Sequence, residues 1–183
     1  MEIDLNGCKN ITDVSVRDLW TYSLHVREMR LAHCAELTDS AFPAVLKGVL
    51  PASKINPFPT SGTTEYPADT LPPLVLSHPF DHLRMLDLTS CSKLTDEAIE
   101  GIISSSPKIR NLVLAKCSLI TDVAVENICK LGRHLHYLHL GHTVNITDRS
   151  VRQLARSCTR LKYIDLASKS LLYYSILRYS PAL

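Results

Sequence analysis

Residues 83–103 read LRMLDLTSCSKLTDEAIEGII, and residues 109–129 read IRNLVLAKCSLITDVAVENIC, the same pattern 26 residues later. Each copy opens with an apolar triplet spaced L-x-x-L-x-L, here Leu83, Leu86 and Leu88, then Ile109, Leu112 and Leu114. Alternation of apolar and variable residues is the mark of a short strand with one buried face, because strand side chains point to opposite sides in turn. The Thr-Asp that follows opens a helix: either side chain can accept from a free first-turn amide, and an acid suits a helix N-terminus. The helix then carries Ala98, Ile99, Ile102 and Ile103, or Ala124, Val125 and Ile128, on its inner side.

The pattern extends in both directions. Cys8, Cys34, Cys91 and Cys117 are separated by 26, 57 and 26 residues, and five residues after each stands Asp13, Asp39, Asp96 or Asp122. The frame continues into Thr143 with Asp148. Further triplets are Val26, Met29 and Leu31, then Leu135, Leu138 and Leu140, then Leu161, Ile164 and Leu166. The first repeat enters inside its triplet, at Ile3 and Leu5, so a preceding segment of the unit is expected.

A strand-then-helix unit of this length falls in the leucine-rich-repeat range. The expected fold is α/β, a right-handed leucine-rich-repeat solenoid, a horseshoe segment of about six repeats. Stacking is obligatory. About five buried apolar side chains per repeat contribute roughly 7 to 15 kcal/mol, against roughly 1 to 2 kcal/mol of lost backbone freedom for every ordered residue.

From Asp39 to Leu83 the chain runs 44 residues where later repeats need 13, an insertion of 31. Eight of the ten prolines lie between Pro43 and Pro79, which predicts a largely irregular loop. The expected organisation is repeats 1 and 2 over 1–42, the end of repeat 2 plus the Pro-rich insertion over 43–82, repeats 3 to 6 over 83–168, and an atypical tail or cap over 169–183. The insertion reads either as a phosphorylation-controlled or partner-binding arm or as a tolerated surface excursion. Lys169 stands where the next cysteine belongs.

Twenty Lys and Arg against 18 Asp and Glu supply no bulk field that selects nucleic acid or an anionic membrane. The N-terminus, Met-Glu-Ile-Asp-Leu, lacks the basic and apolar regions of a secretory signal, and no stretch has the apolar length of a membrane helix. A cytoplasmic or nuclear location is expected, with reduced and buried thiols. Stacked repeats would bring Cys91 and Cys117 about one strand spacing apart, roughly 4.8 Å, within disulfide reach. Alternatively, each thiol is a small hydrophobe packing the turn after its strand. No C-x-x-C pair points to zinc.

L-x-x-L-x-L-x-x-C-x-x-[IL]-T-D resembles the cysteine-containing leucine-rich repeats of F-box proteins over about Met1 to Phe42 and Leu83 to Leu166. With the early Pro-rich insertion, the chain looks most like the fungal glucose-repression F-box substrate receptors. That resemblance implies the substrate-binding part of an SCF-type (Skp, cullin, F-box) ubiquitin ligase, acting in ubiquitin-dependent degradation without chemistry of its own. It also implies Skp adaptor and cullin partners, if an F-box precedes these repeats.

Two surfaces stand out as candidate sites. One residue after the first apolar position come Arg27, Arg84, Arg110, His136 and Lys162, which stacking aligns into a basic ridge. Guanidinium groups grip phosphate bidentately, so the ridge reads as a site for phosphorylated or acidic peptides or, alternatively, as a solvated edge. The open strand face reads Asp4, Arg30, Asp87, Val113, His139 and Asp165, flanked by Met85, Asn111, Tyr137 and Tyr163. Tyrosine and arginine are frequent binding anchors. The expected protein-binding residues are Arg30, Arg84, Arg110, Lys116, Tyr137, His139 and Tyr163. His134, His136, His139 and His142 crowd the fifth strand, with no carboxylate or Ser motif placed to make His139 a nucleophile's base. No catalytic, metal or cofactor motif is apparent. The alternatives to a ligase receptor are a repeat scaffold or inhibitor unrelated to ubiquitin, and a truncated fragment.

Overall fold

The computed structural model describes residues 1–45 and 71–167. Most of the Pro-rich insertion, and the expected tail or cap at 169–183, lie outside the described residues. Six strands, β1 (Glu2–Asp4), β2 (Glu28–Arg30), β3 (Met85–Asp87), β4 (Asn111–Val113), β5 (Tyr137–His139) and β6 (Tyr163–Asp165), form one parallel sheet in chain order. Each has three residues, and only the middle one points inward. Met29, Leu86, Leu112 and Leu138 pair in register and are fully buried. The last apolar position of each triplet lies just past the strand yet stays in the ladder: the Leu88 amide donates to Val113 O at 2.9 Å.

Among the described residues four α-helices, α1 (Asp13–Tyr22), α2 (Asp96–Ser105), α3 (Asp122–Ile128) and α4 (Asp148–Ser157), form the second layer, with α2 packed on α3 and α3 on α4. The inward residues named from the sequence, Ala98, Ile99, Ile102, Ile103, Ala124, Val125 and Ile128, are buried. The fold is therefore α/β, a parallel sheet of stacked strand-helix units resembling a leucine-rich-repeat solenoid.

The Thr-Asp reading needs a correction. Threonine is the cap: Thr95 and Thr121 hydroxyls accept from the amides of Glu97 and Val123. The aspartate instead reaches the next repeat, where Asp96 accepts from the Thr121 amide and hydroxyl. A side chain at the first helical position projects beyond its own free amides toward the neighbouring unit, which carries a matching N-cap threonine.

The second repeat also departs from expectation, because among its described residues the Thr-Asp is followed by a 3-10 turn at Asp39–Ala41 and not by an α-helix. Pro43 follows, and a residue without an amide hydrogen cannot sustain a helical ladder. Pro43 instead bridges Leu74, and the Ala44 amide donates to Leu74 O at 2.9 Å, so the two ends of the insertion are joined at its base. Phe42 and Phe80 fill the space beneath, each packing on Trp20 with ring centroids at 6.3 and 4.7 Å. Closeness there depends on Gly101, since a Cβ at that position would lie 1.6 Å from Pro43 O.

The cysteine column is a ladder of free thiols. Cys34, Cys91 and Cys117 are buried, and each donates to a carbonyl of the preceding repeat: Leu5, Leu31 and Leu88, at 3.2, 3.2 and 3.1 Å. The residue before each cysteine position, Gly7, His33, Ser90, Lys116 and His142, has φ between 62 and 72°. That left-handed turn lets each amide bond forward to the next unit, as His33 does to Thr89 O at 2.7 Å. It compensates a conformation that disfavours side chains.

Candidate functional site

The outer positions of the strands form two rows on the open face of the sheet. One row reads Glu2, Glu28, Met85, Asn111, Tyr137 and Tyr163, and the other Asp4, Arg30, Asp87, Val113, His139 and Asp165. Neighbours in each row belong to adjacent paired strands. Parallel pairing thus aligns side chains far apart in the chain.

At the β1–β2 end the face is acidic and its single cation is already paired. Arg30 donates to Glu28 Oε2 at 2.5 Å and lies 4.0 Å from Glu2 Oε2, which offsets its charge toward any incoming anion. At the β5–β6 end Tyr137 and Tyr163 stack with centroids 4.6 Å apart and planes at 6°. Burial pushes the Tyr137 phenol above its usual value, and Tyr163, Asp165 and Asp87 add to that shift. Both carboxylates are fixed by hydrogen bonds from residues two positions on. Asp87 Oδ1 accepts from the Thr89 amide and hydroxyl at 2.9 and 2.7 Å, and Asp165 Oδ1 accepts from the Ala167 amide at 2.7 Å.

His139 sits beside this pair. Its Nδ1 is 2.9 Å from Asp165 Oδ2, buried and off the line of a hydrogen bond. The register of β5 with β6 puts Asp165 beside His139, in the order of the open-face row read from the sequence. Gly141 makes room for the ring, because a Cβ at that residue would lie 2.8 Å from His139 Cε1.

The basic ridge runs beside the face. Arg27 O accepts from the Arg84 amide, Arg84 O from that of Arg110, Arg110 O from that of His136, and His136 O from that of Lys162, all at 2.8 Å. Its members act on one another: desolvation first, then Lys162, Arg110, Arg160 and His134, hold the His136 imidazole below its usual value. Arg84 is the least available of them, since its guanidinium donates to Asp81 O and Leu83 O at 2.6 and 2.9 Å. Lys116 is exposed on its left-handed turn, beyond the strands rather than among the tyrosines.

Of the seven residues named from the sequence, the structure groups Tyr137, His139 and Tyr163 on the open face and Arg84 and Arg110 on the ridge. Arg30 lies on the same face at its β1–β2 end, paired with Glu28, and Lys116 lies beyond the strands. Sequence reasoning missed a second basic column, His25, His82, Lys108, His134 and Arg160, two residues before the ridge. The signal was present, since the later four repeat at intervals of 26. The rings of His25 and His82 lie 5.3 Å apart.

Among the described residues no helix is long and apolar enough to cross a membrane, and no group of three His, Cys, Asp or Glu side chains is placed to hold a metal ion. No family model matches the chain. The fold resembles a chain in the crystal structure of the Rad7 and Elc1 complex in yeast, with a TM-score of 0.51 and 19% identity over 85% of this chain. This chain spans 39% of that neighbour's length. At such identity the likeness speaks for the fold alone.

Proposed function

We propose that this chain is a protein-interaction module, a right-handed leucine-rich-repeat segment of about six repeats that forms the substrate-recognition part of an SCF-type ubiquitin ligase. The observation that carries the reading is the open sheet face, where parallel register gathers Tyr137, His139, Tyr163 and fixed carboxylates outward with no covering helix among the described residues. Aromatic groups held rigidly on a scaffold make binding anchors at low entropic cost. The repeat pattern resembles that of F-box receptors, and a fold neighbour was crystallised as a two-protein complex. In this reading the chain holds a target protein, phosphorylated or acidic where it meets the ridge, while other subunits transfer ubiquitin. It performs no catalysis, requires no cofactor, and works in the cytoplasm or nucleus. Skp adaptor and cullin join only if an F-box precedes the repeats.

The test is capture of partners by the immobilised chain from extract with and without phosphatase treatment, followed by proteasome inhibition in cells. Partners lost on Tyr163→Ala that accumulate on proteasome inhibition support the reading. Partners indifferent to Tyr163→Ala and to proteasome inhibition favour a scaffold unrelated to ubiquitin.

A further inference from the structure

The open face and the ridge carry opposite fields although they are adjacent in the chain. Desolvation is the largest influence on both groups; after it His136 responds to Lys162, Arg110, Arg160 and His134, all basic, whereas the next residue, Tyr137, responds to Tyr163, Asp165 and Asp87. From β3 to β6 the eight outward strand positions are Met85, Asp87, Asn111, Val113, Tyr137, His139, Tyr163 and Asp165, without a lysine or arginine. Two carboxylates therefore share the face with a stacked aromatic pair. Tyr163 is 46% exposed, so one ring of the pair is open to a ligand.

We propose that this part of the open face docks a partner segment bearing arginine or lysine, its cation resting on the Tyr137–Tyr163 pair within the field of Asp165 and Asp87. The inference rests on reading the open face as the partner surface. The phosphorylated or acidic ligand expected from the sequence belongs to the ridge. A cation over a tyrosine face is attracted by the ring quadrupole, more strongly where water is partly excluded. A guanidinium stacks on the ring as a plane and can also pair with a carboxylate bidentately. The carboxylates need little reorganisation, since each is already held by an amide two residues on. Side-by-side acidic and basic strips also orient a segment, since a cation seated on the face directs a neighbouring acid to the ridge.

The experiment uses the full chain and two synthetic peptides of equal length, one rich in arginine and lysine and one rich in phosphoserine. Binding is followed through the tyrosine ring resonances. The cationic peptide is expected to shift Tyr137 and Tyr163, with affinity falling about threefold to thirtyfold on Tyr163→Ala and also falling on Asp87→Asn and Asp165→Asn. Tyr22→Ala, at a ring 76% exposed on α1, should leave it unchanged. A cationic peptide that leaves the rings unshifted, or binds the variants equally well, overturns the proposal. Displacement of those rings by the phosphoserine peptide instead also overturns it, while leaving the face a partner surface. Partner capture indifferent to Tyr163→Ala removes the underlying reading itself.

Discussion

Asp96 and Thr121 are joined by two hydrogen bonds, the amide to Oδ1 at 2.8 Å and the hydroxyl to Oδ2 at 2.5 Å. The same pairing ties Asp13 to Thr38, Asp39 to Thr95 and Asp122 to Thr147. The Asp39–Thr95 pair spans the insertion, so the stack keeps its phase across it.

Each staple is a pair of charge-assisted hydrogen bonds between repeats that cannot stand alone. Asp96→Ala is expected to lower unfolding free energy by about 2 kcal/mol, and Asp96→Asn by less, because an amide oxygen still accepts from the Thr121 amide. Urea denaturation of the two variants, in a cycle with Thr121→Ala, measures the coupling. Additive effects of Asp96→Ala and Thr121→Ala would show that the staple contributes nothing beyond the separate residues.

Gly101→Ala provides a second check. In an exposed helix interior this change adds about 0.5 to 1 kcal/mol of stability, but a Cβ here would meet Pro43 O at 1.6 Å. The clash is with backbone, which cannot rotate away, so a net loss of about 1 to 3 kcal/mol is expected. The change should also disturb Trp20, whose partner Phe42 adjoins Pro43. Thermal unfolding with tryptophan emission reads both effects, and a raised melting temperature would refute the close approach.

The period of 26 makes the strands, the inner helix faces and the buried thiols legible from the sequence, because each is a repeated local pattern. What lies between repeats is less so. The sequence shows Asp96 and Thr121 as helix openers, and only stacking reveals that one serves the other. Asp165 becomes a neighbour of His139 through parallel register, although 26 residues separate them. Arg30 reads as an exposed anchor until Glu28, two residues back on the same strand face, is seen to bind it. The short turn at Asp39–Ala41 was half legible: Pro43 signals a break, but the aromatic filling by Phe42 and Phe80 depends on where the chain returns.

Burial pushes the Cys91 and Cys117 thiols up to about 12 from 9.0. The folded chain therefore holds these protons where the unfolded chain releases them. Their stabilising contribution is complete below pH 9, declines as pH rises between 9 and about 12, and is gone above that. Each thiol steepens the loss by up to about 1.4 kcal/mol per pH unit in that window. Unfolding free energy measured from pH 8 to 11 should fall less steeply in Cys117→Ala than in the parent, relative to each protein at pH 8. Equal slopes would mean that the thiol is not shielded from solvent.

His136 reports on the ridge. Desolvation is the largest cause holding its imidazole below the usual value, and the charges of Lys162 and Arg110 come next. Lys162→Gln and Arg110→Gln should each move the His136 titration upward, as should raising the salt concentration, since an exposed cation is screened within about 10 Å at 0.1 M. The sign follows from charge: a nearby cation disfavours protonation, and its removal restores it. Part of the depression should survive both substitutions, because burial remains. Titration of the imidazole resonances in the parent and the two variants decides the matter. A His136 that titrates identically in all three would mean that the ridge side chains do not share a field, and an anionic segment would then gain nothing from their alignment.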